Sequence, residues 1–260
     1  MPNKNVLDRY WSVRGAATGA VQREYTVAAS TTIIAGDFLT LDSTGKAVPL
    51  ITAVANAYTN SGYNATCIGR AQFTIVTDAN GVDTTSASSK GYARTKVAVA
   101  TADRVNEFLV RIGDATSSNT NQNDVQIGGK YKVGVYLASG LAATDPSRVY
   151  YLSPTTKAIT GATNASPIVL TSTGHGVTSG ERISVTGVGG NTAANRDWFD
   201  VTATDANTIT VLGSVGNAAY TSGGSLVASP ILEVTGLYAD QADTDTYALV
   251  WARFVPGAMA

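Results

Sequence analysis

His175 is the only histidine among the 260 residues and Cys67 the only cysteine, so acid–base and thiolate chemistry would each rest on one side chain. A Ser–His–Asp relay would have to use His175, which lies in the glycine-flanked turn Thr173-Gly-His-Gly-Val177, and no G-x-S-x-G nucleophile elbow stands elsewhere. One histidine and one cysteine cannot assemble a zinc site. The glycine-rich Gly187–Gly190 is not followed by a helical pattern, so it lacks the context of a phosphate cradle. Paired carboxylates alone can hydrolyse glycosides, but the acids here fall mostly in turns (Asp42, Asp78, Asp205) or at a strand start (Glu107). Asp240, Asp243 and Asp245 form a local cluster that reads either as a calcium site or as a solvated turn before the last strand. No catalytic, cofactor-binding or metal site is expected, and the chain reads as a non-enzyme.

Composition narrows the class further. Only 14% of the residues are charged, well under the ~25% usual for soluble domains. Gly, Thr, Ala, Val and Ser fill the difference, a profile suited to pleated strands and tight turns. A surface so poor in charge is either covered by partners or simply rich in Thr and Ser. The formal charge is −1 and no basic cluster appears, which excludes non-specific nucleic-acid binding through phosphates. No apolar stretch approaches the ~18 residues of a membrane span, and Met1–Arg14 has no apolar signal region. The expectation is a protein made in a reducing cytoplasm, with Cys67 buried as a small apolar residue.

The elements that must position any site are strands. Phe38–Leu41 runs into Asp42-Ser-Thr-Gly45, a hairpin turn with glycine where positive φ is needed. Lys96–Ala100 alternates with Val97 and Val99 on one face, and Glu107–Ile112 with Phe108, Val110 and Ile112 opposite Arg111. Tyr131–Leu137 places Tyr131, Val133, Val135 and Leu137 inward with Lys132 outward, and Thr246–Phe254 closes the series. Asp78–Lys90 and Asp114–Asn123 read as exposed loops.

Asp37–Val48 returns at Arg148–Ile159 as a near-repeat: strand, Lys-bearing turn, strand. Cys67–Ala71 and Glu107–Ile112 follow the first copy; Val234–Tyr238 and Tyr247–Phe254 follow the second. The second copy is interrupted by residues 160–228, whose own short strands are Pro167–Thr171, Arg182–Val185, Phe199–Thr204 and Thr208–Leu212. The expected fold is therefore all-β. It comprises a barrel-like, tulip-shaped scaffold (25–159 and 229–260) with an internal pseudo-repeat, and an inserted β-domain (160–228). In the insert, Trp198 reads as a core plug, or else joins Phe199 and Tyr220 in a glycan-stacking platform.

Residues 1–24 stand apart. Arg9, Tyr10, Trp11 and Arg14 are the residue types that dominate interface hot spots. They belong either to an extended arm that anchors on a partner or to a terminal element closing over the protein's own core.

Gly36-Asp-Phe-Leu-Thr-Leu-Asp-Ser-Thr-Gly-Lys-Ala-Val48, leading to Ile68-Gly-Arg-Ala71, resembles the lambda-type head-decoration (cement) proteins of phages, over about 23–159 and 229–256. Within the insert, Ile168–Val177, Gly180–Gly187, Phe199-Asp-Val-Thr202 and Tyr220–Gly224 resemble a small β-module that recurs in phage tail and virion proteins. The resemblance implies a homotrimeric structural protein on the outside of the virion. Its partner would be the major capsid protein of a phage head, and its contacts would come from Arg9, Tyr10, Trp11 and Arg14 by strand addition. It implies no cofactor, no nucleic acid and no membrane. The insert would project outward, free to meet a host glycan. A tail-fibre or baseplate component and a virion glycan-binding module are the alternatives. The chain is longer than simple members of that family, an excess the pseudo-repeat and insert would account for.

Overall fold

The computed structural model describes residues 22–50, 67–84, 94–101, 107–113, 121–136, 149–198, 200–240, 242 and 244–255. Arg9, Tyr10, Trp11 and Arg14, with Leu137, Phe199 and Asp243, lie outside the described residues. The chain is nearly all β. Its first strands are β1 Gln22–Thr26, β2 Thr32–Ile33, β3 Phe38–Leu41, β4 Ala47–Pro49, β5 Gly69–Ala71, β6 Ile75–Val76 and β7 Lys96–Thr101. Next come β8 Glu107–Arg111, β9 Lys130–Tyr136, β10 Val149–Ser153, β11 Lys157–Ala158, β12 Gly161–Ala162 and β13 Ile168–Thr171. The remainder are β14 Ile183–Thr186, β15 Asp197–Trp198, β16 Thr202–Ala203, β17 Thr208–Val211, β18 Ser225–Ala228, β19 Leu232–Leu237 and β20 Leu249–Phe254.

Two five-stranded sheets share one plan. The first runs β4-β3-β5-β7-β1 and the second β10-β9-β19-β20-β8, both antiparallel throughout. Each curls until its outer strands meet through one parallel bridge, Val27–Ala47 in the first and Ile112–Leu152 in the second. The registers coincide as well. Leu41–Ala47 corresponds to Val133–Leu152, Phe38–Arg70 to Lys130–Glu233, Ala71–Val99 to Val234–Ala252, and Tyr25–Val97 to Val110–Val250. Following these pairs around either ring returns to the same bridge.

The inward positions therefore match one for one. Val27, Leu39, Ala47, Ala71, Val97 and Val99 are buried in the first core, joined by Ile33 and Ile75 from the β2–β6 ribbon. Their counterparts Ile112, Tyr131, Leu152, Val234, Val250 and Ala252 are buried in the second. Alternation puts every second side chain inside, so one register suffices to bury all of them.

The repeat visible in the sequence is thus displaced by one strand. Asp37–Val48 and Arg148–Ile159 resemble each other, yet β3 corresponds to β9, and β4 to β10. Glu107–Ile112 is the opening strand of the second unit, not the closing strand of the first, and pairs directly with β20. Nor do β10 and β11 form a hairpin: β10 pairs with β9, and β11 with β18. Pro154, which has no N–H and keeps Ser153 extended, lets the chain run straight on where Asp42–Gly45 turns it back. In that turn the Asp42 carboxylate accepts the Thr44 and Lys46 amides at 2.8 and 3.0 Å, and Gly45 has φ +76°. Those bonds hold the Asp42 pKa below its ordinary value.

Between β10 and β19 the chain forms two four-stranded sheets, β11-β18-β14-β15 and β12-β13-β17-β16, packed over one core of their own. Ile168, Leu170, Ile183, Val185, Ile209, Val211 and Leu226 fill it, each nearly or fully buried. The sandwich begins at Lys157, three positions before the expected boundary of 160, and Gln22–Glu24 belong to β1 rather than to an arm. Of the expected loops, Gln122–Asp124 forms a 3-10 turn whose Gln122 amide donates to the Tyr238 and Leu249 carbonyls.

Candidate interaction surfaces

The outward face of the first unit plugs into the second. Phe38 points away from its own barrel and is fully buried against Tyr150, Phe254 and Phe108, with ring centroids 5.6, 5.8 and 6.0 Å away. Arg70, beside it on β5, lies 5.2 Å from the Phe38 ring and 5.3 Å from that of Phe108. Its guanidinium also donates to the Gly36 and Leu109 carbonyls at 2.8 and 3.4 Å. The three socket aromatics correspond in the first unit to Arg23, Gly45 and Thr101, and Arg23 is exposed. Among the described residues only the second unit carries a socket, so this mode of stacking ends at two.

In the second unit the same row carries alternating charge. Glu107, Arg253, Glu233 and Lys130 lie opposite one another across β8, β20, β19 and β9. Arg253 donates to Glu233 at 2.9 Å, which raises its pKa. Lys130 donates to Asp197 of the sandwich at 2.5 Å. The Arg182 guanidinium of the sandwich bonds the Pro230 carbonyl. Nearby, Glu181 is 2% exposed with neither carboxylate oxygen hydrogen-bonded, and it is close enough to attract the Lys132 ammonium. The sandwich is clasped to the second unit by charge.

Beyond Glu107 the row opens on a cavity of about 400 Å³ lined by Glu107, Thr235, Leu237, Tyr238, Asp240 and Trp251. It sits where β19 bulges between Val234 and Gly236, a place where a strand re-aims its side chains. The Tyr238 hydroxyl bonds Asp240, which raises the phenol's pKa.

His175 is 4% exposed and fixed on both nitrogens. Nδ1 accepts the Val177 amide at 2.9 Å, which places the proton on Nε2, donated to the Asp205 carbonyl at 2.9 Å. It braces a turn whose flanking Gly174 and Gly176 have φ +57° and +67°. Trp198 is the core plug: it is 4% exposed, its indole N–H bonds the Ala194 carbonyl at 2.8 Å, and Arg196 lies 3.8 Å over its ring. Tyr220 is half-buried with its hydroxyl spent on the Ile159 and Gly223 carbonyls. These two rings form no stacking platform. Among the described residues no group of three or more His, Cys, Asp or Glu is placed to hold a metal ion, and no helix is long and apolar enough to cross a membrane. Asp245 instead accepts the Ala242 amide at 3.1 Å. The charge row and the Phe38 socket were not foreseen: each member sits at an ordinary outward position of its strand, and only strand order aligns them.

Cys67 is 1% exposed, and burial pushes its thiol up to about 12 from the ordinary 9.0. A pKa raised on folding contributes stability in full below pH 9.0, lost as pH climbs through 12; three pH units correspond to about 4 kcal/mol. Urea melts between pH 8 and 11 should show a falling stability whose slope is reduced in Cys67→Ala. An identical slope in the variant would refute the assignment.

No family model and no curated protein matches this chain.

Proposed function

We propose that this chain is a structural protein of a phage virion, binding the outer face of the head as a homotrimer and stabilising the shell against the pressure of packed genome. The observation that carries this reading is the tandem of two register-matched β units locked by Phe38, whose first edge strand, β1, follows residues 1–21 in the sequence. A rigid β base with an aromatic, arginine-bearing arm suits strand addition to a neighbouring sheet: the backbone supplies the bonds while Arg9, Tyr10, Trp11 and Arg14 supply the anchors. Shell binding gains from avidity, since each trimer engages several capsid subunits at once. The sandwich, clasped to the unit farther from the arm along the chain, enlarges the outer coat.

Mixing the protein with undecorated heads and counting bound copies by electron microscopy tests the assignment. Removing residues 1–21, which leaves β1 whole, should reduce occupancy at least tenfold, and Tyr10→Ala/Trp11→Ala should reproduce most of that loss. Full occupancy by the truncated chain would move the contact off the arm. Binding to host cells but not to heads would make the protein a tail component.

A further inference from the structure

The outward row of each β unit is where something docks. In the first unit Phe38 and Arg70 are covered by the second unit. In the second unit the Lys130 end is covered by the sandwich through Asp197. The Glu107 end faces the cavity beside the β19 bulge. Among the described residues the charges along it do not quite balance: Lys130, Arg253 and Arg182 are three cations, against four carboxylates in Asp197, Glu233, Glu107 and Asp240. Lys130 bonds Asp197, which Arg182 also attracts, and Arg253 bonds Glu233 at 2.9 Å while also attracting Glu107 across the strand pair. At the cavity Glu107 therefore shares Arg253 with Glu233, and Asp240 makes no ion pair among the described residues, which leaves this end of the row net negative. Between them stand apolar walls, Leu237 and Trp251, and the Thr235 hydroxyl, which is shielded from water without a hydrogen-bond partner.

Acids at the rim, an aromatic and an aliphatic wall and an idle acceptor suit a long cationic side chain. Its stem lies along Leu237 and Trp251 while its head reaches the carboxylates. We propose that this cavity is a docking site for a lysine or arginine side chain presented by an extended segment of a protein partner. The assignment stands apart from the virion reading, because it asks only what the cavity holds. Arginine fits better than lysine, since its planar head can bond both acids and stack on an aromatic wall.

The probe is a strand-forming pentapeptide, acetyl-Val-Thr-Arg-Thr-Val-amide, compared with the same peptide carrying neutral, isosteric citrulline. Titrated into ¹⁵N-labelled full-length protein, the arginine peptide should shift the amides of Glu107, Thr235–Asp240 and Trp251 saturably. Citrulline should weaken binding at least tenfold, as should the double variant Glu107→Gln/Asp240→Asn. Raising salt from about 50 to 500 mM should weaken the arginine peptide alone. Absence of shifts at these residues would overturn the proposal, as would equal binding of the citrulline peptide. Undiminished affinity in the double variant would do the same. Should that variant fail to fold, the citrulline comparison decides by itself, since it leaves the protein unaltered.

Discussion

Phe38→Ala is expected to destabilise the protein by about 4 kcal/mol, the largest effect of any single truncation in the two β units. The side chain is fully buried and is ringed by Phe108, Tyr150 and Phe254 at centroid distances of 5.2 to 6.0 Å among the four rings. Truncation removes an apolar transfer contribution of a few kcal/mol and opens a void that three large rings cannot readily close. It also strips Arg70 of one of its two aromatic faces. Because Phe38 belongs to the first unit and its socket to the second, the loss falls on the joint between them. Urea unfolding followed by circular dichroism should show a lower midpoint, and the single cooperative transition should broaden or split. Phe38→Leu should retain more than half of the stability. A cost under about 1 kcal/mol for the alanine variant would mean that the units are held together elsewhere.

Much of this fold was legible in the sequence. Phe38–Leu41, the Asp42–Gly45 turn and the inward sets of β7, β8 and β9 follow from alternation and turn chemistry, which are local. The existence of a repeat was also legible, but not its frame. Of the six matched inward pairs (Val27/Ile112, Leu39/Tyr131, Ala47/Leu152, Ala71/Val234, Val97/Val250, Val99/Ala252), only Val97/Val250 keeps the same residue. Burial demands only an apolar side chain of tolerable volume, so identity drifts while register stays. The Thr-Lys-Ala echo at Thr156–Ala158 drew the match one strand along because turn residues resemble one another wherever they occur. The short strands β2, β6, β12, β15 and β18 left little trace, since two to four residues cannot display a period.

The interaction surfaces were less legible for a related reason. Phe38, Lys130, Arg70 and Glu233 occupy corresponding outward positions, yet one pair makes an aromatic plug and the other a salt-linked row. An outward position is under no demand from its own barrel. What it carries is set by whatever covers it: a socket in the first unit, a charged sandwich edge in the second. Trp198 shows the converse, a large aromatic suited to a ligand platform that the sandwich keeps for its own core. The burial that decided between those readings is a long-range property.

Lys132→Met is expected to cost about 3 kcal/mol, whereas Lys132→Met/Glu181→Met should be more stable than the parent by about 1–2 kcal/mol. Glu181 is 2% exposed and its carboxylate oxygens accept no hydrogen bond, so it keeps little of the solvation that a carboxylate has in water. Lys132 is the nearby cation, and two influences on it oppose each other. Burial, the larger, pushes its pKa down; repulsion by Lys157 pushes the same way; attraction by Glu181 pushes it up without prevailing. Its pKa therefore lies below the ordinary 10.5, which means that folding disfavours the ammonium despite the neighbouring carboxylate. Burying the Lys132 ammonium therefore costs stability, yet removing it alone takes from the buried Glu181 a cation that attracts it. Hence the sign reverses between the single and double variants. The depressed pKa adds a second signature: the contribution of Lys132 should make stability rise as pH increases toward 10.5, and Lys132→Met should lack that rise. Guanidinium melts of the four proteins in the double-mutant cycle decide the matter. A single-variant cost under 1 kcal/mol would show that Lys157 or water compensates Glu181. A double variant less stable than the parent would show that the pair is a net stabiliser of the junction between sandwich and scaffold.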